Sequence, residues 1–445
     1  MRTDKDKNTK PELRLQSAWN SIPHGTVVKT IDKKDITVLF PGNWNFEEGP
    51  DFKGAKLIID GMEAAGDVEV HQENSDWFAH GHHTDPNYAN VILHVLSKKS
   101  VPPGDSAKVP PFPAILIRPD KSSEFPLTES EKFSNGACVS FFSSADDTEI
   151  HDAFARAGIE RFEEKSRNLL SEMIDSGSEQ TCLKHIFEAC GYKKNREAFI
   201  ELYMRCSEYD DLDDRDVLEA VLWGESGLLP DPSSAKLDDK MKSFVKKTWA
   251  TWWKTRMTSR ENIRWAKSGV RPLNMPERRI AALGVLLNLF SRKPLKFLSE
   301  KTQSGMKEKD FAEYLTEDLV VSHKTWNDYV NFFRKFSKPS SVIGPDRMND
   351  IAANVLLPAL HAYSTIKQDM RLGAYALKTW QLLPMPQMNR NVRTAYHRWF
   401  MPPQRFRRII CDTASFHGAM HLYKKHCNDN SGDCASCRLG KLNRK

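Results

Sequence analysis

Side-chain alternation across Ala65 to Gln72 constrains this chain more than any other feature. In Gly66-Asp67-Val68-Glu69-Val70-His71 the valines fall on one face of an extended strand, and Asp67, Glu69 and His71 on the other. The preceding run, Ala55 to Asp60, is apolar and β-branched and closes on Gly61, so the two runs are expected to pair as a hairpin. One face of that hairpin needs a hydrophobic core, and the other must accommodate acids and an imidazole. Pro50-Asp51 stands just before the first run. Pairing would bring Asp51 and Glu69 to one place, where two carboxylates plus water suit Mg²⁺ or Mn²⁺.

The surrounding stretch, Glu47 to His94, concentrates further polar chemistry. After His71 the chain reads SDWFAHGHHTDPNY, loop-like, and then an apolar strand from Asn90 to Leu96. His80, His82, His83 and Asp85 offer imidazole and carboxylate donors of the kind zinc, iron or manganese take. Their spacing matches no defined zinc signature, so polar lining of a cleft is the main expectation and a separate metal the alternative. His94 lies in an apolar strand and reads as a satisfied core histidine. Asp76, Tyr88 and Asn90 read as hydrogen-bonding groups that hold the loop.

Pro50-Asp51 followed by Glu69-Val70-His71 resembles the core of the PD-(D/E)XK nucleases, in which Pro-Asp on one strand precedes Asp/Glu-X-Lys on the next. His71 stands where that pattern has lysine. The resemblance implies Asp51 and Glu69 as cation ligands and His71 as the group that orients or deprotonates the attacking water. In many such nucleases a glutamate on the first helix also reaches the metal, for which Glu12 is the candidate here; the alternative, and the main expectation, is a first-turn glutamate that suits the helix dipole. A second resemblance is longer. GPDFKGAKL, GDVEVH, SDWFAHGHHTDPNYANVILHV, GYKKNREAF, EAVLWGESGLLP and GVRPLNMPERRIAAL are similar to the bacterial family called domain of unknown function 2851. It runs from about Leu13 to the last cysteine and implies membership rather than an activity.

Elsewhere the chain sorts by period. Pro11-Glu12 opens a helix whose buried side is Leu13, Leu15, Ala18 and Trp19. Val27 to Thr30 and Ile36 to Phe40 read as a hairpin, Ala114 to Arg118 as a strand, and Ser140 to Asp147 as a linker. Helical periodicity begins at Asp147. Lys242 to Arg279 interleaves Lys246, Lys247, Lys254, Arg256, Arg278 and Arg279 with Trp249, Trp252, Trp253 and Trp265. The tryptophans at 249, 252 and 253 are expected on one packed face, and the basic residues are candidates for gripping phosphates.

At 445 residues, with 40% apolar and 28% charged side chains, the chain has ample core for two or three domains. A net charge of +6 permits a nucleic-acid partner without demanding one. No apolar run is long enough to span a membrane and no leader precedes the first helix, so a cytoplasmic, reduced protein is expected. In that setting Cys411, Cys427, Cys434 and Cys437 read as metal ligands, for zinc or an iron–sulfur cluster, with His417, His421 and His426 as alternative donors. Cys-x6-Cys-x2-Cys resembles part of the pattern in iron–sulfur DNA glycosylases.

The expectation is therefore an α+β protein. A PD-(D/E)XK-like mixed sheet core covers 11–142, a mainly helical domain 148–404, and a cysteine-rich metal-binding segment 405–445. The leading function is Mg²⁺- or Mn²⁺-dependent cleavage of phosphodiesters in DNA. The alternatives are a non-catalytic protein that binds nucleic acid or another protein through a degenerate nuclease core, and a hydrolase of small substrates built on the histidine loop.

Overall fold

The protein is described by a computed structural model covering residues 12, 15, 16, 18–20, 22, 25–45, 49–98, 110–117, 142, 145–210, 212–255, 261–388, 392, 395, 399 and 403–428. It divides into two compact units. The first comprises Met1–Ala157, Met388–Cys411 and His417–Lys445, and the second Gly158–Gln387 and Asp412–Phe416.

The first unit is built on a mixed seven-stranded sheet, β1 (Thr26–Lys29), β2 (Asp35–Phe40), β3 (Asn43–Trp44), β4 (Phe52–Ile59), β5 (Met62–His71), β6 (Val91–Leu96) and β7 (Ala114–Leu116). The lateral order is β1-β2-β4-β5-β6-β7, with β3 paired to β4. Strands β1, β2, β4 and β5 form an antiparallel meander, whereas β5, β6 and β7 run parallel. A parallel pair needs a crossover of a dozen or more residues. The segment between His71 and Val91 is that crossover, and it carries the short helix α1 (Asp76–Ala79).

The apolar face of the hairpin packs as its alternation requires. Val68, Val70, Leu57, Leu93 and Val95 are fully buried with Leu15 and Trp19 of the N-terminal helix in one core. The indole of Trp19 donates to the Pro41 carbonyl at 2.9 Å, which ties the helix to the sheet.

A one-residue irregularity decides where Asp51 goes. Through most of the hairpin Ala55 faces Gly66 and Lys56 faces Ala65, a register that would set Asp51 level with Val70. Between Ala55 and Phe52 the register shifts, and Phe52 faces Val68. That extra residue on β4 puts Asp51 level with Glu69, on the polar face, while Phe52 and Ala55 both stay in the core. Gly54 makes the bulge possible: it adopts φ +68°, and its amide donates to Asp67 Oδ1 at 3.0 Å.

Met388–Cys411 belongs to this unit, where the sequence alone suggested continuous helical domain to 404. Trp399 stacks on Phe142 and Phe154, at centroid separations of 5.3 and 5.2 Å. Arg405 pairs with Asp147 at 2.7 Å and also donates to the carbonyls of Phe142 and Ala145.

The second unit is mainly helical. Helix α2 (Asp147–Ser176) opens the helical part of the chain, followed by α3 (Ser178–Cys190), α4 (Arg196–Cys206), α5 (Arg215–Ser226), α6 (Asp239–Thr255) and α7 (Pro276–Leu289). Met241, Val245, Thr248 and Trp252 form the buried stripe of α6. Trp252 lies so close to Gly224 on α5 that a Cβ there would fall 2.0 Å from the indole. Among the described residues no helix is long and apolar enough to cross a membrane.

Replacing Gly54 with valine forces a β-branched side chain into a left-handed conformation, and is expected to cost about 1–2 kcal/mol in urea unfolding. Gly54→Asn should cost much less, because asparagine tolerates that region. Equal stability of parent and valine variant would show that the bulge is not needed.

Candidate functional site

The polar face of β4–β5 holds a partly buried cluster whose members come from five elements. Glu12 and Gln16 lie one turn apart on the N-terminal helix, offset from the core-facing Leu15 and Trp19. Asp51 heads β4, Glu69 and His71 end β5, and the crossover adds His80 and His82. His94 on β6 stands level with Glu69 in the parallel register, so it faces the same side. Trp77 of α1 covers them, its ring 5.4 Å from His82, 6.0 Å from His94 and 4.9 Å from Phe112.

Asp51 and Glu69 meet directly. The Asp51 amide donates to Glu69 Oε2 at 3.0 Å, and the Val70 amide to Asp51 Oδ2 at 3.1 Å. Gln16 donates to Asp51 Oδ1 at 2.7 Å. Asn45 holds the approach, donating from its side chain to the Pro50 carbonyl at 2.8 Å and from its amide to the Asp51 carbonyl. Burial raises the pKa of both carboxyls well above the ordinary range. Their mutual repulsion and the Glu12 charge push the same way. Glu12 is itself raised, first by burial.

The imidazoles form a second layer in contact with the acids. His71 Nδ1 lies 2.8 Å from His94 Nε2, and His71 Nε2 lies 3.1 Å from His80 Nδ1. His94 Nδ1 is 3.1 Å from Asn74 Oδ1. Glu69 Oε1 is 3.4 Å from His71 Nε2 and 3.3 Å from His82 Nε2. Tyr88 stacks on His82 with centroids 3.9 Å apart. Burial, reinforced by the neighbouring imidazoles, lowers the pKa of His71 to about 2 and those of His82 and His94 to about 4, so all three are neutral near pH 7.

The cluster offers carboxyl and imidazole donors, the types that can ligate a divalent cation. A positive charge near two buried carboxyls favours their ionised forms, and neutral imidazoles are competent ligands. Among the described residues, the ligand atoms of His71, His80 and His82 lie within 4.8 Å of one another.

Several sequence expectations are relocated. His83 and Asp85 are not part of the cluster: the His83 ring lies 5.2 Å from Phe78, and Asp85 accepts the Asn87 amide at 2.9 Å in a short turn. Asp67, on the same row as Glu69, is taken by Gly54. His94 is buried and satisfied, as its apolar strand suggested, but its partner is His71 rather than the core. His71 cannot act as an unencumbered substitute for lysine, because each of its nitrogens already faces another histidine. The signal for the Asp51–Glu69 register was Gly54 inside a strand, two residues after the core side chain of Phe52 and one before that of Ala55.

The basic segment is corrected more sharply. Arg278 and Arg279 are 0% and 4% exposed, so neither presents its guanidinium to a phosphate. Arg278 donates to the carbonyls of Trp326, Tyr329, Ser340 and Ser341 at 2.7–2.9 Å, and Arg279 to that of Val342 at 2.9 Å. These bonds are buried or partly buried, and the five-donor guanidinium gives the carbonyls hydrogen-bond partners. Nor do the tryptophans of α6 share a packed face: Trp252 is buried and Trp253 is 57% exposed. Lys246, Lys247 and Lys254 are exposed, and Lys247 pairs with Asp216 at 2.6 Å. Arg256, Cys434 and Cys437 lie outside the described residues, while Cys411 is exposed and Cys427 buried.

The family described as protein of unknown function DUF2851 matches residues 12–389, which takes in the whole cluster and stops short of the cysteine tail. Comparison with curated proteins and with solved structures gives no match for the chain.

The raised carboxyl pKa values set a sign for stability. In the ion-free chain the folded state keeps protons that the unfolded state releases, so this contribution is whole below about pH 4 and is lost as pH rises toward the folded values. Asp51→Asn and Glu69→Gln should therefore raise Tm in chelator at pH 8, with the gain vanishing near pH 4. A lower Tm for both variants at pH 8 would show that the carboxyls are not in electrostatic conflict.

Proposed function

Taking as premise that the chain belongs to the DUF2851 family, we propose that its sheet unit is a divalent-metal-dependent phosphodiesterase acting on nucleic acid, DNA in the first instance. The observation that carries this reading is the convergence of Asp51 and Glu69, with the Glu12 charge acting on both, at the ends of two adjacent paired strands. That arrangement is the one the PD-(D/E)XK resemblance implies. Asp51 Oδ1 or Oδ2 and Glu69 would hold Mg²⁺ or Mn²⁺, and Glu12 would complete the ligand set. A bound cation polarises the scissile phosphate and lowers the pKa of its water.

The chain's own residues then have distinct tasks. Gln16 and the Val70 amide fix the rotamer of Asp51, so the carboxylate is aimed before any ligand arrives. The Asp51 amide does the same for Glu69 Oε2. Trp77, buried above the histidines, excludes water from the rear of the site. His71 serves by position, holding its Nε2 edge toward Glu69 and His80. In the helical unit, Lys246 and Lys254 on the exposed side of α6 support the same class of partner through contacts to phosphates.

A plasmid-nicking assay with Mn²⁺ tests the reading. Parent protein should cleave, and Asp51→Asn and Glu69→Gln should each lose at least about 100-fold, the scale expected when a group that organises the transition state is removed. His83→Ala should retain parental cleavage. Equal residual cleavage in the parent and both acid variants would rule out catalysis here and leave a non-catalytic binding protein on the same fold.

A further inference from the structure

The second layer of the cluster has a geometry that the carboxylate reading does not use. We propose that His71 Nε2, His80, His82 Nε2 and Glu69 Oε1 form a nitrogen-rich site for one first-row transition ion of the zinc, manganese or iron(II) class. It shares only Glu69 with the carboxylate site, and it stands whether or not the chain cleaves a phosphodiester.

Distances carry the first part of the argument. Four ligands at about 2.0–2.1 Å around a tetrahedral ion lie roughly 3.3–3.4 Å from one another. Here Glu69 Oε1 is 3.4 Å from His71 Nε2 and 3.3 Å from His82 Nε2, while His71 Nε2 is 3.1 Å from His80 Nδ1. The ligand atoms of His71, His80 and His82 lie within 4.8 Å of one another, wider than that ideal, and Glu69 reaches two of the three. Three nitrogens and one oxygen favour a borderline ion over Mg²⁺, which prefers oxygen donors and water.

A relay of hydrogen bonds carries the second part. Asn74 presents Oδ1 to His94 Nδ1, and an amide oxygen only accepts, so that nitrogen bears the proton. His94 Nε2 is then a lone pair and accepts from His71 Nδ1–H at 2.8 Å. His71 is left with a bare Nε2, and that atom faces Glu69 Oε1 and His80. Two lone-pair-bearing atoms brought this close need a proton or a cation between them. Outer partners that fix a tautomer in this way are what metal-binding histidines usually have. Asn74 and His94 are thus positioning residues, acting through His71. The rings are also clamped: Tyr88 stacks on His82, and Trp77 meets both His82 and His94 edge-on.

Equilibrium dialysis of the full chain against Co²⁺, read together with the visible spectrum, tests the site. The expected result is bound cobalt with visible d–d bands. His80→Ala and His82→Ala should each abolish those bands and weaken binding at least roughly tenfold; His80 is exposed, so its variant tests the site with the fold intact. Asn74→Leu should weaken binding roughly 10–100-fold, and Asn74→Asp, which keeps an accepting oxygen, should restore it. Asp51→Asn should keep the cobalt bands even where it loses nicking, which separates failure of this site from failure of the nuclease reading. Bands unchanged in His80→Ala and His82→Ala would overturn the proposal. So would a spectrum showing only thiolate-to-cobalt charge transfer, since the tail cysteines would then be the sole ligands.

Discussion

Two carboxyl groups joined through a backbone amide inside a protein repel one another, and the protein must neutralise them or offer them a cation. Asp51 and Glu69 are in that position, and most of what surrounds them can be understood as holding the pair in place. Gln16, the Val70 amide and Asn45 act on Asp51 or its neighbour, and none of them supplies a compensating positive charge. An arrangement that costs stability and is nonetheless braced from three directions is characteristic of functional sites.

The fold reaches this arrangement by two devices. A bulge at Gly54 advances one strand by a residue, which moves Asp51 from the level of Val70 to that of Glu69 without exposing Phe52. Parallel pairing of β5 with β6 then requires a crossover, and the crossover brings His80, His82 and Trp77 over the acid-bearing face. The hairpin therefore supplies Asp51, Glu69 and His71, the connection supplies His80 and His82, β6 supplies His94, and the N-terminal helix adds Glu12 at the edge. What looked in the chain like two separate clusters is one contiguous cluster.

How far this was legible in the sequence depends on the range of the interaction. Val68 and Val70 against Glu69 and His71 is a period-two pattern, visible within six residues, and it placed both faces of β5 correctly. The pairing of His71 with His94, and the exclusion of His83 and Asp85, depend on how the connection between β5 and β6 folds back, which no local pattern encodes. Arg278 and Arg279 show the same limit. Basic side chains at helical spacing look like a surface, yet these two are consumed by carbonyls about fifty to sixty residues later in the chain. Trp253 lies next to a buried tryptophan but one position round the helix, and that is enough to leave it in solvent.

The central claim is that Asp51 and Glu69 share one divalent ion. Anomalous diffraction from crystals of the full chain soaked in Mn²⁺ tests it most directly. The account predicts a manganese peak about 2.1 Å from a carboxylate oxygen of each residue. Ordered density for both side chains, with no manganese peak between them, would contradict it.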